Sequence, residues 1–89
     1  MKIEVLFFGQ LRELTEVPKS TAEIKENASL ADLTDYLEKA YGADFRNQVS
    51  GTRGMRILVN GQEYTLLGGM ETPLREGDTV VFMPPIFGG

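Results

Sequence analysis

The sequence contains neither cysteine nor histidine. Without cysteine there is no disulfide, no thiolate nucleophile and no thiolate metal site. Without histidine the usual general base at neutral pH and the commonest metal ligand are gone as well. No metal site is expected, and no permanently bound cofactor. A run of about 20 apolar residues, which a membrane span requires, is also missing. The opening MKIEVLFFGQ places an acid inside a short apolar stretch, unlike a secretory leader. A cytoplasmic protein with no membrane partner is the expectation. Basic residues are few: nine Lys and Arg stand against thirteen Asp and Glu, for a net charge of −4. Arg12, Lys25, Arg46, Arg53, Arg56 and Arg75 are scattered along the chain, so no basic patch exists to grip a phosphate backbone, and no nucleic-acid partner is expected.

What is present is enough for one domain. The chain has 89 residues, of which 42% are hydrophobic, sufficient for a small core. Over Lys2–Phe8 the alternation of Ile3, Val5 and Phe7 with their neighbours predicts a strand. Gln10–Glu16 reads as a turn or short helical connection, and Ser20–Lys25 as a second strand forming a hairpin with the first. Ser29 with Asp32 three residues on resembles a capping box. From there Leu30, Leu33, Leu37, Ala40 and Tyr41 recur on one face of a helix. Gly42 sits where a left-handed cap is expected. The stretch from Ala43 to Gly54 reads as a loop with at most one helical turn around Phe45–Val49. Met55–Val59 predicts a strand, Asn60-Gly61 a two-residue hairpin turn, and Gln62–Thr65 a short return strand. After a loop and the turn at 73–78, Thr79–Met83 is the last strand, stopped by Pro84-Pro85.

The order β-β-α-β-β-β closes on one core only if the helix crosses one face of a mixed sheet with the first and last strands side by side at its centre. This is an α+β fold of the β-grasp, ubiquitin-like type, with four to five strands and one main helix on one face. The division expected is a domain over 1–84 and a flexible C-terminal tail over 85–89.

No internal catalytic constellation is recognisable. Gly68-Gly69 lacks the spacing of a phosphate loop, and no pair of carboxylates is placed for acid–base work. The chemistry is expected at the tail. Gly88 and Gly89, the last two residues of the sequence, offer an α-carboxylate on a stalk without side chains. A carboxylate is a poor electrophile until activated, for instance as an acyl-adenylate. An activating enzyme would draw the tail into a narrow channel that only glycine enters without a clash. Pro84 and Pro85 stiffen the exit from the sheet. From Pro84 the carboxylate of Gly89 could reach up to ~20 Å at ~3.3 Å per residue. Ile86 and Phe87 either fold back on the domain or serve as grip points for that channel.

A second candidate site lies on the sheet. If Ile3, Val5, Phe7, Val80 and Phe82 face the helix, then Leu6, Phe8, Val81 and Met83 face away on adjacent strands. They would form an uncovered apolar patch of the kind that marks a partner site.

Four segments carry a family resemblance: IEVLFFGQLREL at 3–14, SLADLTDYL at 29–37, LVNGQ at 58–62 and TPLREGDTVVFMPPIFGG at 72–89. Together they resemble the MoaD branch of the ubiquitin-like sulfur carriers. The likeness covers most of the chain, is strongest at its ends and poorest over Gly42–Gly54. The related ThiS carriers share the fold and terminal glycines but are generally shorter. The resemblance implies the small subunit of molybdopterin synthase, a carrier without catalytic side chains of its own. Its implied partner is an adenylyltransferase of the ubiquitin-activating type, which uses ATP to activate Gly89. Sulfur then replaces adenylate to give a thiocarboxylate. The implied second partner is the large synthase subunit, where the sulfur passes to a pyranopterin precursor of the molybdenum or tungsten cofactor. Small archaeal modifier proteins, which end in the same glycines, imply an alternative fate: conjugation through Gly89 to lysines of other proteins.

Overall fold

The computed structural model describes residues 1–85. Five strands form one mixed sheet in the order β2-β1-β5-β3-β4, with β1 Lys2–Phe7, β2 Lys19–Glu23, β3 Arg56–Val59, β4 Gln62–Glu63 and β5 Thr79–Met83. The first and last strands run parallel at the centre, Val5 opposite Val80 and Phe7 opposite Phe82. The β-grasp architecture follows: β1 and β2 pair antiparallel, as do β3 and β5.

The alternation in β1 and β5 places its residues as expected. Ile3, Val5, Phe7, Val80 and Phe82 are all buried on the helical face. Three helices cover that face: α1 Gly9–Thr15, α2 Leu30–Tyr41 and α3 Ala43–Gly51. In α2, Leu30, Leu33 and Leu37 are buried and Tyr41 packs partly against the core, but Ala40 is exposed. Ala40 lies at the margin of the stripe, and in this last turn Tyr41, four residues after Leu37, is the side chain that reaches the core. The capping box is formed. The Asp32 N–H donates to Ser29 Oγ at 3.2 Å, and the Ser29 N–H donates to Asp32 Oδ2 at 2.9 Å. The Ser29 N–H bond holds the Asp32 carboxyl below its usual range; partial desolvation opposes this and the charge of Lys25 assists it.

Three local expectations need correction. Gly42 has φ 94 but ψ 174, so it is not a left-handed helical cap; it turns the chain directly from α2 into α3. The stretch from Ala43 to Gly51 is a nine-residue helix rather than a loop with one turn. Its anchor is Phe45, buried edge-on against Phe7 at 5.9 Å and Phe82 at 5.5 Å between ring centroids. Arg46 fastens α3 to α2 through Asp35 and through Glu38, whose Oε1 lies 3.0 Å from the Arg46 Nε. Finally, β4 stops at Glu63, and two short 3₁₀ turns, Tyr64–Leu66 and Gly69–Glu71, replace the rest of the strand and the loop.

The β3–β4 turn matches its sequence. Asn60 and Gly61 both have positive φ, 51 and 83, as a type I′ hairpin requires. The Asn60 side chain also ties the hairpin to the start of β5. Its Nδ2 donates to Asp78 Oδ1 at 3.0 Å, and its Oδ1 accepts from the Thr79 N–H at 2.9 Å. The turn before β5 is held to β1 in the same way, with the Gly77 N–H on the Lys2 carbonyl at 2.8 Å and the Glu4 N–H on the Asp78 carbonyl at 2.9 Å. These bonds set the register of the central strand pair, and with it the point where the chain leaves the sheet.

Candidate functional site: the open sheet face and the chain exit

The sheet face opposite the helices carries an apolar stripe. Leu6 of β1 stands opposite Val81 of β5, and Val81 stands opposite Leu58 of β3. All three are half-buried, as is Met83. Phe8, immediately after β1, is 43% exposed although it is a large aromatic. The Phe8 N–H donates to the Phe82 carbonyl at 3.1 Å, continuing the central ladder one residue further and holding Phe8 at the end of the sheet where β5 finishes. Leu6, Phe8, Val81 and Met83 therefore share the open face and its exit end.

Leu58 belongs to this stripe and escaped the sequence reading. The signal was available: Ile57 and Val59 are the buried pair of β3, so Leu58 between them must point outward. Charge borders the stripe on both sides. Lys19 is the cross-strand neighbour of Leu6, Glu63 is that of Leu58, and Arg56 beside Met83 bonds Glu63 Oε1 at 2.9 Å. An apolar centre with a charged rim is the composition of a protein–protein contact surface.

The exit itself is built into the body. Pro84 is buried and Pro85 half-buried. Pro84 lies over Gly9, where a Cβ would stand 3.5 Å from its Cγ, and Pro85 lies over Gly54 at the same separation. Both prolines thus fix the direction of the chain as it leaves β5. Just before them in β5, the buried ring of Phe82 stacks on that of Phe7 at 6.2 Å, so the exit follows directly on the aromatic core. Ile86, Phe87, Gly88 and Gly89 lie outside the described residues.

Among the described residues no group of three or more His, Cys, Asp or Glu is placed to hold a metal ion. Among the same residues no helix is long and apolar enough to cross a membrane. On the helical side a cleft of about 440 Å³ runs between α2, α3 and β3, lined by Thr34, Arg46, Ser50, Met55, Tyr64 and Met70 among others, with no carboxylate. Arg46 is its one charged group, and that charge is already engaged by Asp35 and Glu38.

Comparison with known proteins agrees with this layout. The family model described as the ThiS family matches residues 5–89, which takes in the second half of β1, all of β5, the two prolines and Gly88-Gly89. The human molybdopterin synthase sulfur carrier subunit is 32% identical over 90 residues, covering 99% of this chain and 94% of that protein. Small archaeal modifier protein 3 of Haloferax volcanii is 29% identical over 92 residues, with both chains fully covered. Among solved structures, small archaeal modifier protein 1 of Methanosarcina acetivorans superposes with a TM-score of 0.80 at 25% identity, covering 99% of this chain and 96% of that one.

Proposed function

The chain belongs to the ThiS family of MoaD/ThiS-like sulfur carriers, and on that premise we propose that it carries sulfur as a thiocarboxylate at Gly89 for molybdopterin synthesis. The observation that carries this reading is the family match running through Gly89, on a chain whose central strand ends beside an uncovered apolar stripe. A carrier must do two things: present a reactive end, and let each partner hold its body while that end enters an active site. The open face and the proline-directed exit suit the second task.

In this reading an ATP-dependent adenylyltransferase binds the stripe of Leu6, Phe8, Leu58, Val81 and Met83. The tail, with Ile86, Phe87 and Gly88 read by the channel, delivers the Gly89 carboxylate to ATP. The carboxylate oxygen attacks the α-phosphate, pyrophosphate leaves, and an acyl-adenylate results. A sulfur donor then displaces AMP. The large synthase subunit takes up the same surface in turn, so the carrier cannot sit on both partners and handover requires dissociation. Once the sulfur passes to the pterin precursor, water supplies the oxygen that restores the Gly89 carboxylate for another round. The carrier contributes the acyl group, and its partners contribute the catalytic side chains. The reading places the chain in the cytoplasm, where the activating enzyme has ATP.

Full-length similarity to the archaeal modifier protein favours a second reading, capture of the same acyl-adenylate by a lysine amine of another protein. The test is the intact mass of the protein isolated from its own host. A gain equal to the difference between sulfur and oxygen supports carriage. Lysine-linked Gly-Gly remnants on other proteins support conjugation. An unmodified chain with no remnants, under conditions of cofactor synthesis, would refute both.

A further inference from the structure

Strand β2 is an edge of the sheet, and its outward backbone is unpaired. Ile24 and Met1 exchange both bonds of a ladder pair, N–H to carbonyl at 2.9 and 2.6 Å. In an antiparallel pair such positions recur every second residue. Ala22 with Ile3, Ser20 with Val5 and Pro18 with Phe7 are therefore the other bonded pairs, and the Phe7 N–H does meet the Pro18 carbonyl at 2.9 Å. By parity, Lys19, Thr21 and Glu23 direct their N–H and C=O groups away from the sheet. Among the described residues none of these groups has a partner, and all three side chains are exposed.

Sheet edges are commonly guarded by a lysine, whose charge repels or disrupts an incoming strand. Here the guard has a complement. In an antiparallel pairing about a two-fold axis at Thr21, Lys19 of one copy stands opposite Glu23 of the other, and Glu23 opposite Lys19. Thr21 faces its own equivalent, and all three positions are of the bonded type. Opposite charges directly across two strands stabilise the pair. The same pairing sets no like charges opposite each other anywhere within β2.

We propose that β2 is a self-pairing edge, through which two copies of this chain join their sheets into one of ten strands. Up to six backbone hydrogen bonds and two symmetric Lys19–Glu23 pairs hold the contact. The segment is only five residues long, so association is weak and concentration-dependent. The two-fold axis stands normal to the sheet, which puts both apolar stripes on the same side. The stripe lies on β1, β5 and β3 and the exit follows β5, so of that surface only the bordering Lys19 takes part in the contact. The dimer would present two tails at once.

Sedimentation equilibrium of the full chain over a concentration series tests this. A monomer–dimer equilibrium is expected, weakened by salt because the charge pairs are exposed. Thr21→Pro removes the central outward N–H, while its own ladder with β1 does not use that group; it should abolish the dimer and leave the circular dichroism spectrum intact. Lys19→Glu or Glu23→Lys alone creates two like-charge contacts and should weaken association roughly tenfold. The double variant K19E/E23K restores both pairs with reversed sign and should recover the original constant. This recovery is independent of how well Thr21→Pro folds. A monomer at every concentration overturns the proposal. So does a dimer indifferent to all these changes, which would place the contact on the apolar stripe, and so does a double variant as weak as the singles.

Discussion

Gly9 lies directly beneath Pro84, and its backbone is in the left-handed region at φ +57. The two residues join the end of β1 to the end of β5 just where the chain leaves the sheet. A Cβ at position 9 would meet Pro84 Cγ at 3.5 Å, an ordinary contact, so the cost of a side chain comes from the backbone rather than from a clash.

Gly9→Ala should therefore destabilise the domain by about 1–2 kcal/mol, and Gly9→Val by more, since a β-branched side chain tolerates positive φ least. Urea unfolding measures the difference. Unchanged stability in both variants would show that this turn relaxes freely and does not hold Pro84.

The two faces of the sheet should respond in opposite ways. Phe82 is fully buried between Phe7 and Phe45, and Phe82→Ala should cost about 3–5 kcal/mol. Phe8→Arg and Met83→Arg change side chains on the open face and should cost little stability. Burying a Phe or Met at an interface is worth about 1.5–3 kcal/mol, so each should weaken binding to the activating enzyme and the large subunit at least tenfold. Leu58→Arg is expected to behave like Phe8→Arg. Thermal melts beside calorimetric titrations separate the effects; an unfolded Phe8→Arg variant would put that residue in the core instead.

At the tail, Gly88→Ala and Gly88→Val should impair activation in that order while leaving the melting temperature unchanged, because a Cβ is excluded from a channel shaped for glycine. One residue added after Gly89 should abolish activation. Pyrophosphate exchange with the cognate adenylyltransferase is the readout. Normal exchange by the extended chain, without processing, would end the carrier assignment.

The capping box predicts a pH effect. The Ser29 N–H bond lowers the Asp32 pKa in the folded state, outweighing partial desolvation. A carboxyl depressed in this way contributes stability above its unfolded pKa and loses it as pH falls through the folded value. Its contribution is thus complete at neutral pH, begins to decline as pH approaches the ordinary aspartate range of about 4, and is lost at the lower pH where the folded carboxyl takes up its proton. Asp32→Asn should lower stability at neutral pH and flatten that part of the acid decline. Ser29→Ala should cost about 1 kcal/mol, read from denaturation across the pH series. An Asp32→Asn profile parallel to that of the parent chain would mean the box contributes no linkage.

The elements legible in the sequence are those dictated by near neighbours along the chain. Alternation assigned the faces of β1 and β5, because side chains of a strand point to opposite sides every second residue. The Ser29–Asp32 box started α2, and Asn60-Gly61 made the hairpin, because each closes its own hydrogen bonds or backbone angles within a few residues. Helix α3 is different. Phe45 and Val49 are too sparse to mark a face, and the helix exists because Phe45 fills the gap between Phe7 and Phe82 and Arg46 reaches back to α2. The candidate site divides in the same way. Leu6, Phe8, Val81 and Met83 could be named from alternation, but their union with Leu58 required the β5–β3 register. The seating of Pro84 on Gly9 required the parallel pairing of chain ends 75 positions apart. Contacts between distant segments depend on which packed arrangement buries the most apolar surface at once, and that is a property of the whole fold rather than of any window of residues.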